Sequence, residues 1–131
     1  MGKKFRRKET KEVLCNYLGT DDFASYAKEY LNKIKEYNTE DESYGYNSKL
    51  KIADAVWVDN NLTLQEEFKN SVTNGFGAEV ENVDFSAAEK TCGIINSWCD
   101  KNTEGLIPKI ITPDLINDTT GLCLTNSLYF E

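Results

Sequence analysis

Histidine is absent from the 131 residues, which contain 22 acidic and 15 basic side chains. Without histidine there is no Ser-His-Asp or Cys-His catalysis and no His-ligated metal site. The acidic side chains are more simply explained by solvation of an acidic surface than by paired-carboxylate catalysis. The residue types therefore predict no catalytic site, no enzyme activity, no metal site and no cofactor.

Four cysteines are the remaining candidates for chemistry, at positions 15, 92, 99 and 123. None belongs to a Cys-x-x-Cys pair, which argues against a zinc or thioredoxin-type site. Cys92 and Cys99 would share one face of a helix about 10 Å apart, too far for a disulfide. Free and mostly buried thiols are the preferred interpretation.

A net charge of −7 argues against a nucleic-acid partner, because phosphate contacts require a basic face. The basic cluster KKFRRK at 3–8 is interpreted as a solvated, disordered lead (1–8), with contact to an anionic surface as the alternative. No apolar run is long enough to cross a membrane, and no secretion signal is recognisable, which leaves the compartment open.

The first part of the chain is predicted to form helices over 9–37. ETKEVLCNYLG at 9–19 has an apolar stripe and stops at Gly19, and 23–37 is amphipathic with apolar residues at spacings of three and four. The polar stretch 38–48 is predicted to be a loop.

Residues 49–131 are predicted to contain three strands separated by helices. The strands are 49–59, 78–85 and 121–130. Thr63 with Glu66 and Ser86 with Glu89 have the spacing of capping boxes, so each pair should open a helix. The second of these helices should run to about Lys101, and an extended segment follows it.

Strand–helix–strand order with short connections favours parallel neighbours. The predicted class is α+β, with three largely parallel strands, one crossover helix over the sheet and flanking helices. One sheet face has no obvious cover. Because both faces of 121–130 carry bulky or apolar side chains, this strand is expected to lie inside a covered sheet.

Three stretches, in this order, resemble the serpin family: GAEVENVDF at 77–85 after Phe76, INSWCDKNTEGLI at 95–107, and LCLTNSLYF at 122–130. The residues that carry the motifs are Gly77, Val83, Phe85, Asn96, Trp98, Thr103, Gly105, Tyr129 and Phe130. The strand KLKIADAVWV upstream also matches, so the resemblance covers nearly the whole chain.

The resemblance implies that 78–85, 49–58 and 121–130 are the first, second and third strands of the serpin sheet A. The helix at 86–101 would lie across that sheet, with Ile95 and Trp98 turned toward the strands and with Lys101 and Asn102 on the far side of its end. Asn126 matches the asparagine of the shutter, where the sheet parts to admit another strand. It shares the face of the leucines, so it is expected to be partly buried with a hydrogen-bonding partner.

Asp54 departs from the family, which usually has asparagine there. A carboxylate on an apolar face is costly unless it is hydrogen-bonded or protonated. Cys99 stands where valine is usual, and Thr91 where alanine is usual; both exchanges are tolerable.

The function implied by the resemblance is serine-type endopeptidase inhibition, in which a cleaved reactive loop inserts into sheet A as a new strand. The resemblance places 1–131 within about one third of a serpin domain and outside the loop, so this chain alone is expected to be non-inhibitory. The expected partners are a protease, the remainder of a serpin chain or a second copy, and the expected location is extracellular, with cytoplasmic possible. The alternatives are a strand-exchange assembly or binding module and a non-functional truncated product.

Overall fold

The computed structural model describes residues 2–37 and 49–131, with the side chains of 9–37 and 49–131. The elements are α1 (Gly2–Leu18), α2 (Phe23–Tyr37), β1 (Leu50–Asp59), α3 (Glu66–Phe76), β2 (Glu79–Val83), α4 (Ala88–Asn102), a short 3-10 helix (Pro113–Leu115) and β3 (Leu122–Phe130). The predicted loop at 38–48 lies outside the described residues.

The two N-terminal helices are present where the apolar spacing places them, and α2 has the predicted bounds. Helix α1 differs at its start, because its backbone is helical from Gly2, so the disordered lead expected at 1–8 is wrong for 2–8. A run of basic residues is compatible with a helix, since lysine and arginine are good helix formers.

Both expected capping boxes are wrong. Helix α3 begins at Glu66 after Gln65, and α4 begins at Ala88 after Ala87, and neither N-terminus has a side-chain cap. The Ser86 hydroxyl donates instead to Asp84 Oδ1 (2.5 Å). The hydroxyl of Thr91 donates to the Asp84 carbonyl (2.6 Å) and ties the first turn of α4 to the end of β2.

The three strands lie in the order β2-β1-β3, which is the order that the resemblance implied. β1 and β2 are parallel, with Ala55 opposite Glu79 and Asp59 opposite Val83. β1 and β3 are antiparallel, with Leu50 opposite Phe130. The prediction of a largely parallel sheet is therefore wrong for the β1–β3 pair.

The antiparallel pairing follows from the path between β2 and β3. Asn60 N donates to the Val83 carbonyl (2.9 Å) and Asp59 N to the Gly121 carbonyl (3.0 Å), so β2 ends and β3 begins at the same end of the sheet. Lys51 Nζ donates to the Lys101 carbonyl (3.3 Å), which places the end of α4 at the other end. The segment 103–121 therefore runs back along the sheet, and β3 starts in the reverse direction.

The core lies between the sheet and α4. Ile95, Trp98 and Cys99 of α4 are buried against Ala55 and Trp57 of β1. The rings of Trp57 and Trp98 meet edge to face, with centroids 6.1 Å apart and planes at 87°. The predicted orientation of Ile95 and Trp98 toward the sheet is confirmed. Phe85, Ile111 and Ile116 complete this side of the core.

The end of α4 corrects one prediction. Asn102 was expected on the far side of the helix, but it is buried, and its Nδ2 donates to the Trp98 carbonyl (2.8 Å). Lys101 is exposed as expected.

The opposite face of the sheet is covered only in part, by α2 and α3. Gly75 of α3 lies so close to α2 that a Cβ there would be 2.8 Å from the Ala24 Cβ. Val56 and Val58 of β1 are buried on the face that these helices cover. The leucines of β3 on the same face remain exposed. This matches the expectation of a face without full cover.

Candidate functional site at the free edge of the sheet

β3 forms an edge of the sheet, because among the described residues only β1 pairs with it. The sequence had predicted an inner strand, so the position of β3 differs from that expectation within the described part of the chain. Glu131 and Lys49 exchange both backbone hydrogen bonds at 2.8 Å, and Asp59 N donates to Gly121 O. Alternation in an antiparallel pair then directs the N–H and C=O groups of odd-numbered β3 residues toward β1.

The even-numbered residues of β3 consequently direct their backbone N–H and C=O groups away from β1. They are Leu122, Leu124, Asn126, Leu128 and Phe130. Their side chains share one face of the sheet. The four apolar members are exposed, from 43% for Leu122 to 70% for Phe130. One set of residues therefore supplies both the free hydrogen-bonding groups of the edge and its uncovered apolar face.

Asn126 lies at the centre of this edge, directly opposite Asp54 of β1. Its Nδ2 donates to Asp54 Oδ1 at 2.8 Å. Asn126 thus has the partner that its position required, but it is exposed rather than partly buried. The half-buried Asp54 carboxylate has a hydrogen bond that offsets part of its cost on an apolar face.

An apolar groove runs beside this pair, between α3 and the sheet, with a volume of about 480 Å³. Phe68, Val72 and Phe76 of α3 form one wall, and Val56 and Leu124 of the strands form another. Asp54 and Asn126 lie at the same groove and supply its polar groups. Its apolar walls suit aliphatic or aromatic side chains.

The other face of β3 belongs to the core. Thr125 Oγ1 accepts a hydrogen bond from Trp57 Nε1 at 2.9 Å. The nearby hydroxyl of Ser127 and the indole N–H of Trp98 are buried, and neither has a hydrogen-bonding partner within the described residues. Sequence patterning could not identify this arrangement, because period-two alternation predicts a face but not which polar atoms meet on it.

The other motif residues are distributed over the fold and build it. Val83 and Phe85 are buried, and Gly77 ends α3 with a φ of 66°, a left-handed conformation that favours glycine. Asn96 Oδ1 accepts from Ile110 N and Ile111 N, and its Nδ2 donates to the Ile111 carbonyl. Asn96 therefore fixes the returning segment to α4.

Thr103 and Gly105 form the turn after α4. The Thr103 hydroxyl donates to the Cys99 carbonyl and accepts from Ile107 N, and Gly105 has a φ of 82°. Glu104 between them receives hydrogen bonds from Lys49 (3.1 Å) and Lys51 (3.4 Å), which keep the pKa of its carboxyl below the ordinary value. This turn is thereby attached to the start of β1.

The last two motif residues, Tyr129 and Phe130, lie on opposite faces of the edge strand. Tyr129 is buried under the ammonium group of Lys49, 5.6 Å from its ring centroid, and its hydroxyl donates to Glu131 Oε2 at 2.7 Å. That bond to a carboxylate raises the pKa of the Tyr129 hydroxyl. Phe130 is exposed on the apolar face.

All four cysteines are free thiols, as the sequence predicted. Cys92 and Cys99 are buried, and Cys15 and Cys123 are half-buried. Burial raises the pKa of the thiols of Cys92, Cys99 and Cys123, which disfavours the nucleophilic thiolate. Within 2–37 and 49–131, no cluster of acidic and sulfur ligands could hold a metal ion, and no helix is long and apolar enough to span a membrane.

Comparison with known proteins identifies relatives that share this fold. The rice protein Serpin-ZXA is 32% identical over 123 residues, which are 93% of this chain and 31% of that protein. Antichymotrypsin-2 of Bombyx mori is 28% identical over 94% of this chain and 32% of its own length. The structure of Arabidopsis AtSerpin1 in its native stressed conformation superimposes with a TM-score of 0.72 at 27% identity, covering 93% of this chain and 31% of that one.

The chain thus spans about one third of the length of these relatives. The family described as "Serpin (serine protease inhibitor)" matches residues 4–131, which include α2, α3, α4 and all three strands described above. With nearly every residue inside that match, this chain belongs to the serpin family.

Proposed function

We propose that these 131 residues form the strand-receiving part of a serpin-type inhibitor of serine endopeptidases. The observation that carries the proposal is the free edge of β3, with five residues whose backbone groups point away from β1. In the family, the cleaved reactive loop enters the large sheet as a new strand. An edge with regularly spaced free donors and acceptors is the surface that such a strand requires.

The side chains along this edge suit an incoming extended strand. A strand that pairs with β3 would place alternate side chains on the apolar face, beside Leu124 and Leu128 and near the groove wall formed by α3. The hydrogen bond between Asp54 and Asn126 keeps the polar groups of this face paired before any strand arrives. The role proposed for Asn126 is therefore to hold the shutter of the sheet together.

The 131 residues alone are proposed to be non-inhibitory. The serpin mechanism needs the reactive loop in addition to the receiving edge, and the described residues are accounted for by helices, the sheet and the segment 103–121. Incubation with chymotrypsin and trypsin should therefore yield no protease adduct that survives a denaturing gel. A stable adduct of higher mass would contradict this part of the proposal.

A chimera tests the receiving role directly. Residues 9–131 would replace the matched segment of Bombyx mori antichymotrypsin-2, whose name indicates inhibition of chymotrypsin. The chimera should form a gel-stable adduct with chymotrypsin. The same chimera carrying Leu124→Pro should be cleaved without forming the adduct, because proline removes an outward N–H without removing a bond to β1.

The matched control in the chimera is Gln65→Pro, an exposed position just before α3 that lies outside the edge and whose φ of −64° already suits proline. Thermal unfolding should show that each chimera is folded. A folded chimera that is only cleaved, without any adduct, would overturn the proposed receiving role.

A second candidate function, assembly by strand addition, is favoured by the composition of the same edge. Residues 122–130 contain neither a charged residue nor proline, the usual devices that protect an edge strand. A synthetic peptide with the sequence of residues 122–130, with serine in place of Cys123, should bind and raise the melting temperature. A peptide with the same composition in scrambled order is the control, and equal effects of the two would refute strand addition.

A further inference from the structure

We infer that β3 pairs with β3 of a second copy of this chain, antiparallel about a two-fold axis at Asn126, to form one six-stranded sheet. The inference rests on the strand-addition function proposed above and goes beyond it by naming the partner and the register. It uses the free edge together with the self-complementary order of its residues.

The hydrogen-bonding pattern permits this pairing. Odd-numbered residues of β3 bond to β1, so even-numbered residues carry the outward groups in both copies. In an antiparallel pair centred on Asn126, even-numbered residues of one copy face even-numbered residues of the other. Every facing pair can then exchange two backbone hydrogen bonds.

The centred register is the best one available to β3. Asn126 faces Asn126 of the second copy, Leu124 faces Leu128, and Leu122 faces Phe130, so all five outward residues of each copy have a partner. A shift by two residues leaves one outward residue of each copy beyond the end of the other strand. A shift by one residue sets outward groups against inward ones and breaks the ladder.

The side chains of the centred register are also compatible. Leu124 with Leu128 and Leu122 with Phe130 form apolar cross-strand pairs on the exposed face, and each such pair is worth about 0.2–1 kcal/mol over alanine. On the core side, Thr125 faces Ser127. Because 122–130 has no charged residue, no like charges meet at the interface despite the net charge of −7 on each copy.

The long-range repulsion between two acidic copies supplies a specific salt dependence. Raising the ionic strength shortens the screening length and should strengthen the dimer. An association driven by opposite charges would weaken under the same change. The dissociation constant should therefore be lower in roughly 0.3 M salt than in roughly 0.02 M salt. These concentrations lie on either side of the physiological ionic strength, at which the screening length is about 8 Å.

Sedimentation equilibrium of the 131-residue chain, 14.9 kDa per copy, measures the assembly. We expect a concentration-dependent dimer. A mixture of isotope-labelled and unlabelled copies should show an intermolecular NOE between Thr125 Hα and Ser127 Hα, because non-hydrogen-bonded pairs bring these protons together. A monomer at all concentrations, or a dimer whose NOEs report another register, overturns the inference.

Leu128→Lys is the variant that tests the interface. Leu128 is 59% exposed, and a lysine on an edge strand is a natural block to strand pairing. The dissociation constant should rise at least tenfold. Leu115→Lys, at a position 65% exposed in the 3-10 helix, adds the same charge outside the edge and lowers the long-range repulsion to the same extent, so it should not raise the dissociation constant.

A dimer that survives Leu128→Lys with unchanged affinity would also overturn the inference, since its interface would lie elsewhere. The peptide experiment separates the two proposals. If the 122–130 peptide binds while the chain stays monomeric, strand addition holds and self-pairing fails. If the peptide does not bind and the chain dimerises without the Thr125–Ser127 contact, both proposals fail.

Discussion

Asn126 Nδ2 donates a 2.8 Å hydrogen bond to Asp54 Oδ1, and the two residues lie directly opposite each other across β1 and β3. The direction of this bond follows from the chemistry, because an ionised carboxylate only accepts and the amide nitrogen only donates. The serpin pattern usually has asparagine at both positions. In this chain the carboxylate of Asp54 is the acceptor and the amide of Asn126 is the donor.

An exchange of the two side-chain types tests this pair. Asn126→Asp would set two carboxylates directly opposite each other and should destabilise the fold by about 0.5–1 kcal/mol. Asp54→Asn keeps an acceptor oxygen and should change the free energy of unfolding by less than about 0.5 kcal/mol. The double variant restores an acceptor and a donor and should recover most of the loss. Denaturant midpoints of the four proteins would refute the pairing if the two effects simply add.

Two neighbouring hydroxyls on the core face of β3 should respond in opposite ways to removal. Thr125 Oγ1 is the acceptor for Trp57 Nε1, and Trp57 is 2% exposed. Thr125→Val should cost about 1–3 kcal/mol, because it leaves a buried indole N–H unsatisfied. Ser127 Oγ is buried without a partner, so Ser127→Ala should be neutral or stabilising. Equal losses in urea unfolding would contradict the assignment of these partners.

The helices and strands could be predicted from the sequence because apolar residues recur in each of them with the period of its secondary structure. The bounds of α2 and the orientation of Ile95 and Trp98 follow from spacings of three and four and from the motif around Trp98. Helix starts were less predictable: Ser86 has the spacing of a cap, but α4 begins at Ala88, so Ala87 occupies the capping position and Ser86 lies one residue before it. The S-x-x-E spacing alone does not fix the residue at which the helix begins.

The direction of β3 relative to β1 could not be predicted from local sequence patterns, for a different reason. Whether β3 runs with or against β1 depends on whether the segment 103–121 retraces the length of the sheet. That path is fixed by long-range bonds such as Asn96 Oδ1 to Ile110 N and Ile111 N. The burial of Asn102 was missed similarly, because its bond to the Trp98 carbonyl turns it inward at the last turn of α4.

Acid sensitivity should depend on Asp59, at the junction where β1 and β2 end. The backbone N–H and side chain of Asn61 donate to Asp59 Oδ1 at 2.9 Å, and Phe85 N donates to Oδ2 at 3.4 Å. These hydrogen bonds, led by that of the Asn61 backbone, lower the pKa of the Asp59 carboxyl, and its burial opposes them. A lowered folded pKa stabilises the fold above the unfolded pKa of about 3.9.

That stabilisation is lost as the pH falls through the unfolded value and then through the folded one. Asp59→Asn should therefore reduce the loss of stability below about pH 4. Asp21→Asn removes a charge at an exposed position and is the matched control. The measurement is the urea midpoint from pH 7 to pH 3 for the three proteins. Identical pH slopes for the wild type and Asp59→Asn would refute the role of Asp59.

Among the motif side chains of α4, Trp98 should contribute most to the free energy of unfolding. It is 7% exposed, and it meets Trp57 edge to face at 6.1 Å. Trp98→Ala would open a cavity between α4 and the sheet and should cost about 3–5 kcal/mol. Trp98→Phe keeps an aromatic ring beside Trp57 and removes an indole N–H that has no partner within the described residues, so its cost should be clearly smaller.

Leu115→Ala is the control for Trp98, since Leu115 is 65% exposed and its loss should cost less than about 0.5 kcal/mol. In the Trp57→Phe background, the remaining tryptophan emission comes from Trp98 alone and should lie at the short wavelengths of an apolar environment. The denaturant midpoint and the emission maximum together decide the outcome. Emission close to that of free tryptophan in water, with an unmoved midpoint for Trp98→Ala, would show that α4 is not packed on the sheet. The receiving role proposed for β3 would then lose its support.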